Sequence, residues 1–218
     1  MKRFVVIGLG NFGTSAAESL HALRHDVIAV DINEAAVERI APHVSRAVVA
    51  DGRNAQTLER VGVKNADAAV VSTGDDITAS ILATLALRDL GVHEVFVKVI
   101  SNDHARVMEK LGATETIFPE RDSAMRLATR ISHSSILNYV RLAPDFSIQE
   151  MAVPTRWIGM SLRDLRLRDR YSISVVAVHD VLTDAIVPAP DPDSPLKDSD
   201  TLLVAGKDAD LARAAALV

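Results

Sequence analysis

Apolar runs rich in β-branched residues alternate with segments of helical period along the first 120 residues or so. Phe4–Ile7, Val27–Asp31, Ala47–Ala50, Ala68–Val71, Val95–Val99 and Thr116–Phe118 have the length and near-continuous hydrophobicity of strands buried on both faces. Between them, Thr14–Leu23, Glu34–Ile40, Asn54–Val61, Asp76–Leu90 and Asp103–Leu111 place apolar residues at helical spacing. Strand and helix in strict alternation require right-handed crossovers and a parallel sheet covered on both sides. Six such strands complete a Rossmann-like doubly wound α/β domain.

The pattern changes after Pro119. Glu120–Val140 reads as one long helix, with Leu127, Ile131 and Leu137 on its apolar face. Beyond Pro144, Phe146–Val153, Ser172–His179, Ala185–Pro188 and Thr201–Ala205 read as strands of a small α+β domain. Ser161–Leu167 and Asp208–Ala215 read as its helices. Ser161 and Asp164 have the spacing of a capping box. Pro188–Pro195, with four prolines and two aspartates, reads as a loop. The expected organisation is a dinucleotide-type domain over 1–120, a crossover or hinge helix over 121–142, and a second domain over 143–218.

Composition narrows the function classes. Of the 218 residues 48% are hydrophobic and 24% charged, and both kinds are interspersed, which argues for packed domains over disorder. There is no cysteine, so disulfides, thiolate metal sites and cysteine nucleophiles are excluded. The formal charge is −5 with no basic-aromatic cluster, against nucleic acid as a partner. Apolar runs stay well short of the roughly 20 residues of a spanning helix. A soluble, cytoplasmic chain is expected, with any membrane role exercised through a partner.

Gly8-Leu9-Gly10-Asn11-Phe12-Gly13 follows the first strand and opens the first helix. A GxGxxG run in that context marks a nucleotide-binding turn. Gly8 permits the tight turn, Gly10 lets backbone approach a pyrophosphate, and Gly13 allows close helix–strand packing. Asp31 ends the second strand about 20 residues further on, where an acidic residue takes the ribose hydroxyls. Its charge disfavours a 2′-phosphate, hence NADP, and Ile32-Asn33-Glu34 supplies no arginine. The alternative role for Asp31 is a helix N-cap, which Asn33 can also fill.

Asp51-Gly52 and Ser72-Thr73-Gly74 end the third and fourth strands, on the carboxyl edge where such sheets bind ligands. Asp51 is a candidate acceptor for an adenine amino group, and the Ser-Thr-Gly turn a candidate ribose lining; each is also an ordinary loop residue. Lys98, in an apolar strand, either meets a phosphate or snorkels to water. Glu120 reads as a helix-start acid.

Together with Val30-Asp31-Ile32-Asn33, Ala50-Asp51-Gly52, Val97-Lys98, Leu111-Gly112-Ala113, Phe118-Pro119-Glu120-Arg121-Asp122, Leu137-Asn138-Tyr139 and Ser174-Val175-Val176-Ala177-Val178, the glycine run resembles the KtrA/TrkA family of RCK proteins, regulators of potassium conductance. The resemblance covers the whole chain. It implies a cytoplasmic ring of subunits, dimers assembling to an octamer, docked on the inner face of the plasma membrane under a potassium-translocating partner. It also implies ATP or ADP in the first domain, or NAD or NADH in the Trk branch. Gly10 and Asp31 would contact the nucleotide and Lys98 its phosphates, while Glu120 would hold a divalent or sodium cation between subunits. Some relatives bind cyclic di-AMP in the second domain, a role that would fall here to Arg168. Two positions depart from the family. Its arginine between the second and third glycines is the uncharged Asn11, and its asparagine near the strand after Arg168 is Ser174.

A small NAD-dependent oxidoreductase is the competing class. It needs a proton donor beside the nicotinamide, and the seven histidines form no evident constellation. His21, His25, His104 and His133 fall in helical or turn contexts typical of solvated faces. A sensor without catalysis is the expected reading.

Overall fold

A computed structural model describes residues 1–132 and 136–216. The chain divides into two compact units, Met1–Glu120 and Arg121–Val218.

The first unit is built on β1 (Arg3–Ile7), β2 (Asp26–Asp31), β3 (Arg46–Val49), β4 (Ala68–Val71), β5 (Glu94–Lys98) and β6 (Glu115–Ile117). These form one sheet in the order β3-β2-β1-β4-β5-β6, every pair parallel. The helices α1 (Asn11–Ala22), α2 (Glu34–Ile40), α3 (Ala55–Arg60), α4 (Ile77–Asp89) and α5 (Asn102–Lys110) supply the crossovers. Two apolar layers result. Val6, Val27, Ala29, Val37 and Ile40 pack on one side of the sheet, and Val5, Val30, Leu58, Leu87 and Met108 on the other. Each fully buried side chain of that size contributes about 1.5–3 kcal/mol, so neighbours in one strand hold opposite layers.

The crossovers start where short polar side chains allow. Asn33, Asn54, Asp76 and Ser101 each accept a hydrogen bond from the backbone three residues on, satisfying an otherwise orphaned first-turn amide. Asn33 therefore caps α2, and Asp31 is left for other work. The order around β1 is the doubly wound one. Chains leave β1 and β4 in opposite directions, and a crevice opens at the carboxyl ends of the strands.

The second unit contains β7 (Ile136–Ala143), β8 (Phe146–Ala152), β9 (Ser174–Asp180), β10 (Ala185–Pro188) and β11 (Asp200–Lys207), in the antiparallel order β10-β9-β11-β8-β7. One sheet face packs Met151, Trp157, Leu165, Ile173, Leu202 and Leu211 against α7 (Leu162–Leu165), α8 (Leu167–Tyr171) and α9 (Asp208–Ala215). Ser161 and Asp164 form the capping box that their spacing predicts. The single helix expected over Ser161–Leu167 is broken at Arg166, whose φ of 44° turns the chain left-handed between α7 and α8.

The long hinge helix is corrected. α6 (Pro119–Ser132) ends eight residues before the expected Val140, and Ile136–Ala143 is the strand β7. Ile136, Tyr139 and Val140 favour extended backbone, and Phe146–Ala152 offers a hydrogen-bonding partner across the two-residue turn Pro144-Asp145. Pairing with β8 outweighs the helical spacing of Ile131 and Leu137. Pro144, read as the point beyond which the second domain's strands begin, lies in the hairpin turn between β7 and β8. His133, Ser134 and Ser135 lie outside the described residues.

On β9, His179 stands between two carboxylates, with Nδ1 2.9 Å from Glu150 and Nε2 3.1 Å from Asp184. Thr201 donates to the same Glu150 oxygen at 2.6 Å. The hydrogen bond to Glu150 raises the His179 pKa above the ordinary range and Asp184 adds to it, against partial desolvation. A raised folded-state pKa stabilises fully below the unfolded value of about 6.5, and that contribution is lost as pH rises through the folded value. Melting of the second domain should therefore drop as pH rises above about 6.5. In His179→Gln this component of the pH dependence should vanish. A slope identical to that of the wild type would remove His179 from the account.

Candidate functional site

The crevice at the carboxyl edge holds a cavity of about 390 Å³. Its floor is the turn from β1 into α1. Gly8 has a φ of 93°, and a Cβ there would sit 2.1 Å from the Ser72 carbonyl oxygen. A Cβ on Gly13 would lie 1.9 Å from the Gly8 carbonyl oxygen. These two glycines are demanded by backbone packing. Gly10 is different, since a Cβ on it would meet no described atom within 4 Å. It is the N-cap of α1 without a capping side chain, and the first turn of α1 carries no acidic residue. The positive end of α1 thus begins at Gly10 on the cavity wall, with no acidic side chain in the helix's first turn.

Asp31 and Ile32 come to the wall from the end of β2. Asp31 Oδ2 accepts from the Leu9 amide at 2.6 Å and Oδ1 from the Asn33 amide at 2.8 Å. The carboxylate is tied to the glycine turn itself. Each oxygen retains acceptor capacity, the requirement for gripping a pair of ribose hydroxyls. Ser72, Thr73 and Gly74 form the opposite wall, beside Asp76, the N-cap of α4, and Ala79 within it. Ser72 is buried, and Thr73 Oγ1 donates to the Asp76 carbonyl at 3.1 Å, which shapes this turn.

Asp51 and Gly52 line the cavity from the end of β3, and with them Arg53, which the sequence reading missed. Asp51 Oδ1 accepts from the Arg53 amide and from its Nε, both at 2.9 Å. Oδ2 takes Nη2 at 2.8 Å and the shared Nε at 3.1 Å. The Arg53 side-chain hydrogen bond holds the Asp51 carboxyl below the usual carboxylate range. In sequence the clue was slight: an arginine two residues past a strand-end aspartate.

Asn11, Phe12 and Gly13 form the first turn of α1 and are not among the described cavity-lining residues. Nor are Lys98 and Glu120, which meet each other with Nζ 2.6 Å from Oε1. The lysine side chain is 14% exposed and the glutamate 70%, so the partly buried cation has its carboxylate within the same unit. The Lys98 hydrogen bond lowers the Glu120 pKa. Among the described residues no three or more His, Asp or Glu side chains gather to hold a metal ion. His104, read as a solvated helix residue, is buried between α4 and α5 with Nε2 3.1 Å from Ser80 Oγ. Burial lowers its pKa.

In the second unit Arg168 and Ser174 do come together. They border a depression of about 360 Å³ with Arg163, Arg166, Ile173 and Pro192. Asp193 fixes the Arg163 guanidinium through two contacts of 2.5 and 3.0 Å.

Residues 4–119 match the TrkA-N domain model and residues 148–218 the TrkA-C domain model. The chain is 34% identical to Ktr system potassium uptake protein A of Bacillus subtilis, over 97% of this chain and 95% of that protein. It is 36% identical to Ktr system potassium uptake protein C of the same organism, over the same shares. Against the Vibrio alginolyticus Ktr system potassium uptake protein A it is 35% identical, over 94% of this chain and 92% of that protein. Among solved structures, the GsuK RCK domain aligns with a TM-score of 0.67 at 17% identity, over all of this chain and 47% of that one. A GsuK structure bound to ADP aligns with 0.53 at 25% identity, over 61% of this chain and 34% of that one. The chain thus spans about half or less of the GsuK chains it matches, and nearly all of the Ktr proteins. With both domain models matched in order and whole-chain identity to Ktr proteins above 30%, the chain belongs to the KtrA/TrkA family of RCK proteins.

Proposed function

We propose that this chain is the cytoplasmic regulatory subunit of a potassium uptake system, binding an adenine nucleotide and thereby gating a membrane partner of the Ktr or Trk type. The observation that carries the reading is the Asp31 carboxylate, fastened to the Leu9 amide of the glycine turn. Phosphates at the start of α1 and a ribose on Asp31 would then be held by one rigid piece of backbone. A ligand moves a distant partner only through different affinities for two conformations. A site at the switch point of the sheet, in a relative of potassium uptake proteins, suits that role. Among the described residues no helix is long and apolar enough to cross a membrane, so translocation is assigned to the partner.

The relatives and neighbours support nucleotide binding in general; ATP or ADP is the proposed ligand, with NAD or NADH as the alternative. Lys98 is assigned to phosphates and Glu120 to a cation shared with a neighbouring subunit, which requires their ion pair to exchange. A homo-oligomer, dimers building an octameric ring, is supported by Leu127 and Ile131 on α6, which are 49% and 73% exposed. A second ligand, cyclic di-AMP, is proposed for the depression around Arg168 and Ser174, where an apolar floor meets several guanidinium groups.

Calorimetric titration with ATP, ADP, NAD and NADH, with and without magnesium, tests the first ligand; cyclic di-AMP against Arg168→Ala tests the second. Tight ATP or ADP binding, with co-purification of a membrane potassium transporter, is expected. Exclusive NAD or NADH binding would move the chain to a Trk-type sensor. Turnover of a bound nicotinamide would overturn the regulatory reading in favour of an oxidoreductase.

A further inference from the structure

Arg53 lies on the cavity wall in a position that calls for more than lining. Its side chain remains 47% exposed although its Nε and Nη2 are both engaged by Asp51. An exposed ion pair of this kind adds little to stability. It does, however, fix a plane. The Arg53 amide and Nε share one Asp51 oxygen, while Nε and Nη2 reach the other, so the guanidinium is held by its edge. What a planar group held by its edge offers a ligand is its face.

The strand order says which part of a nucleotide meets that face. β1, β2 and β3 are consecutive neighbours in the sheet, about 4.8 Å apart. The turn after β1 presents the helix N-terminus to phosphates, and Asp31 ends β2 at the ribose. The next step in the same direction is the end of β3, where Arg53 lies on the cavity wall. A nucleotide laid out in that order brings its base there. Asp51 was the expected contact for the adenine amino group, but both of its oxygens are already engaged by three donors of Arg53, the amide, Nε and Nη2.

Resting on the nucleotide reading above, we infer that Arg53, with its plane fixed by Asp51, is the nucleobase platform of this site, taking the purine by its face. The base is recognised by stacking and cation–π attraction, with Asp51 acting as a positioning residue. Because the plane is preset, little side-chain freedom is lost on binding.

The test compares ADP with base-free ribose 5-diphosphate, both titrated by calorimetry. Arg53→Ala should weaken ADP roughly tenfold and leave the base-free compound unchanged. Arg53→Lys keeps the charge without the plane and should behave as the alanine variant does. Equal losses for both ligands would make Arg53 a phosphate contact and overturn the inference, as would unchanged ADP affinity. Full retention of ADP affinity by Arg53→Lys would reduce the role to charge and overturn it too. If the wild type takes up neither compound, the nucleotide reading falls and carries the inference with it; if the wild type binds and Arg53→Ala is indistinguishable, only the inference falls.

Discussion

Gly13→Ala is expected to destabilise the first domain by about 3–5 kcal/mol, while Gly10→Ala leaves its stability within about 1 kcal/mol and lowers nucleotide affinity at least tenfold. At Gly13 the new methyl would lie 1.9 Å from the Gly8 carbonyl oxygen. Both atoms belong to the segment joining β1 to α1, so relief requires the helix to lift from the sheet. Interiors packed to crystal-like density yield poorly to such shifts. Gly8→Ala should be comparably harmful, since its φ of 93° is unfavourable for alanine and the methyl would meet the Ser72 carbonyl at 2.1 Å. At Gly10 the methyl meets no described atom and points no strain into the fold. It stands instead at the helix N-terminus where a pyrophosphate must come close. Hydrogen exchange of the β1 and β4 amides reads the stability, and calorimetry with ADP reads the affinity. A stable Gly13→Ala domain, or full ADP affinity in Gly10→Ala, would contradict this division of labour.

Asp31→Ala should lower ADP affinity between about tenfold and a hundredfold, the worth of charged hydrogen bonds to two hydroxyls. It should also raise the affinity for NADP relative to NAD, because the charge opposing a 2′-phosphate is gone. A stability loss of about 1–2 kcal/mol is expected alongside, since the Leu9 and Asn33 amides lose their acceptor. Asp31→Asn separates the two effects. It keeps one acceptor oxygen for the turn but loses the charge and the second acceptor, so its ADP affinity should fall more than its stability. Titration of ADP, NAD and NADP against each folded variant decides the matter. Unchanged ADP affinity in folded Asp31→Ala would remove the carboxylate from the site.

The first domain was legible because its signals are local. Glycines directly after an apolar strand, an aspartate at the end of the next, and the cap Asn33 ahead of a periodic segment each state their structure within a few residues. The shape of α6 was not legible. Ile131 and Leu137 continue a helical spacing, yet Ile136–Ala143 finds β8 across the Pro144-Asp145 turn, and hydrogen bonding to another strand has no signature in either segment alone. His104 misled for a related reason. Asp103 and Arg106 beside it on α5 are charged, and α4 brings Ser80 against it.

The site divides in the same way. The sequence by itself determined that the glycine turn after β1 and the Asp31 carboxylate lie at one sheet edge, because period, glycine spacing and strand order follow from covalent geometry and short-range sterics. Only the tertiary structure decided that Asp51 is engaged by Arg53, that Lys98 already has Glu120 as a partner, and that Arg168 and Ser174 share one depression. Those facts depend on which loops and helices arrive beside one another after the sheet forms. A charge at a strand end chooses its partner by the three-dimensional neighbourhood, where the Coulomb and desolvation terms are set.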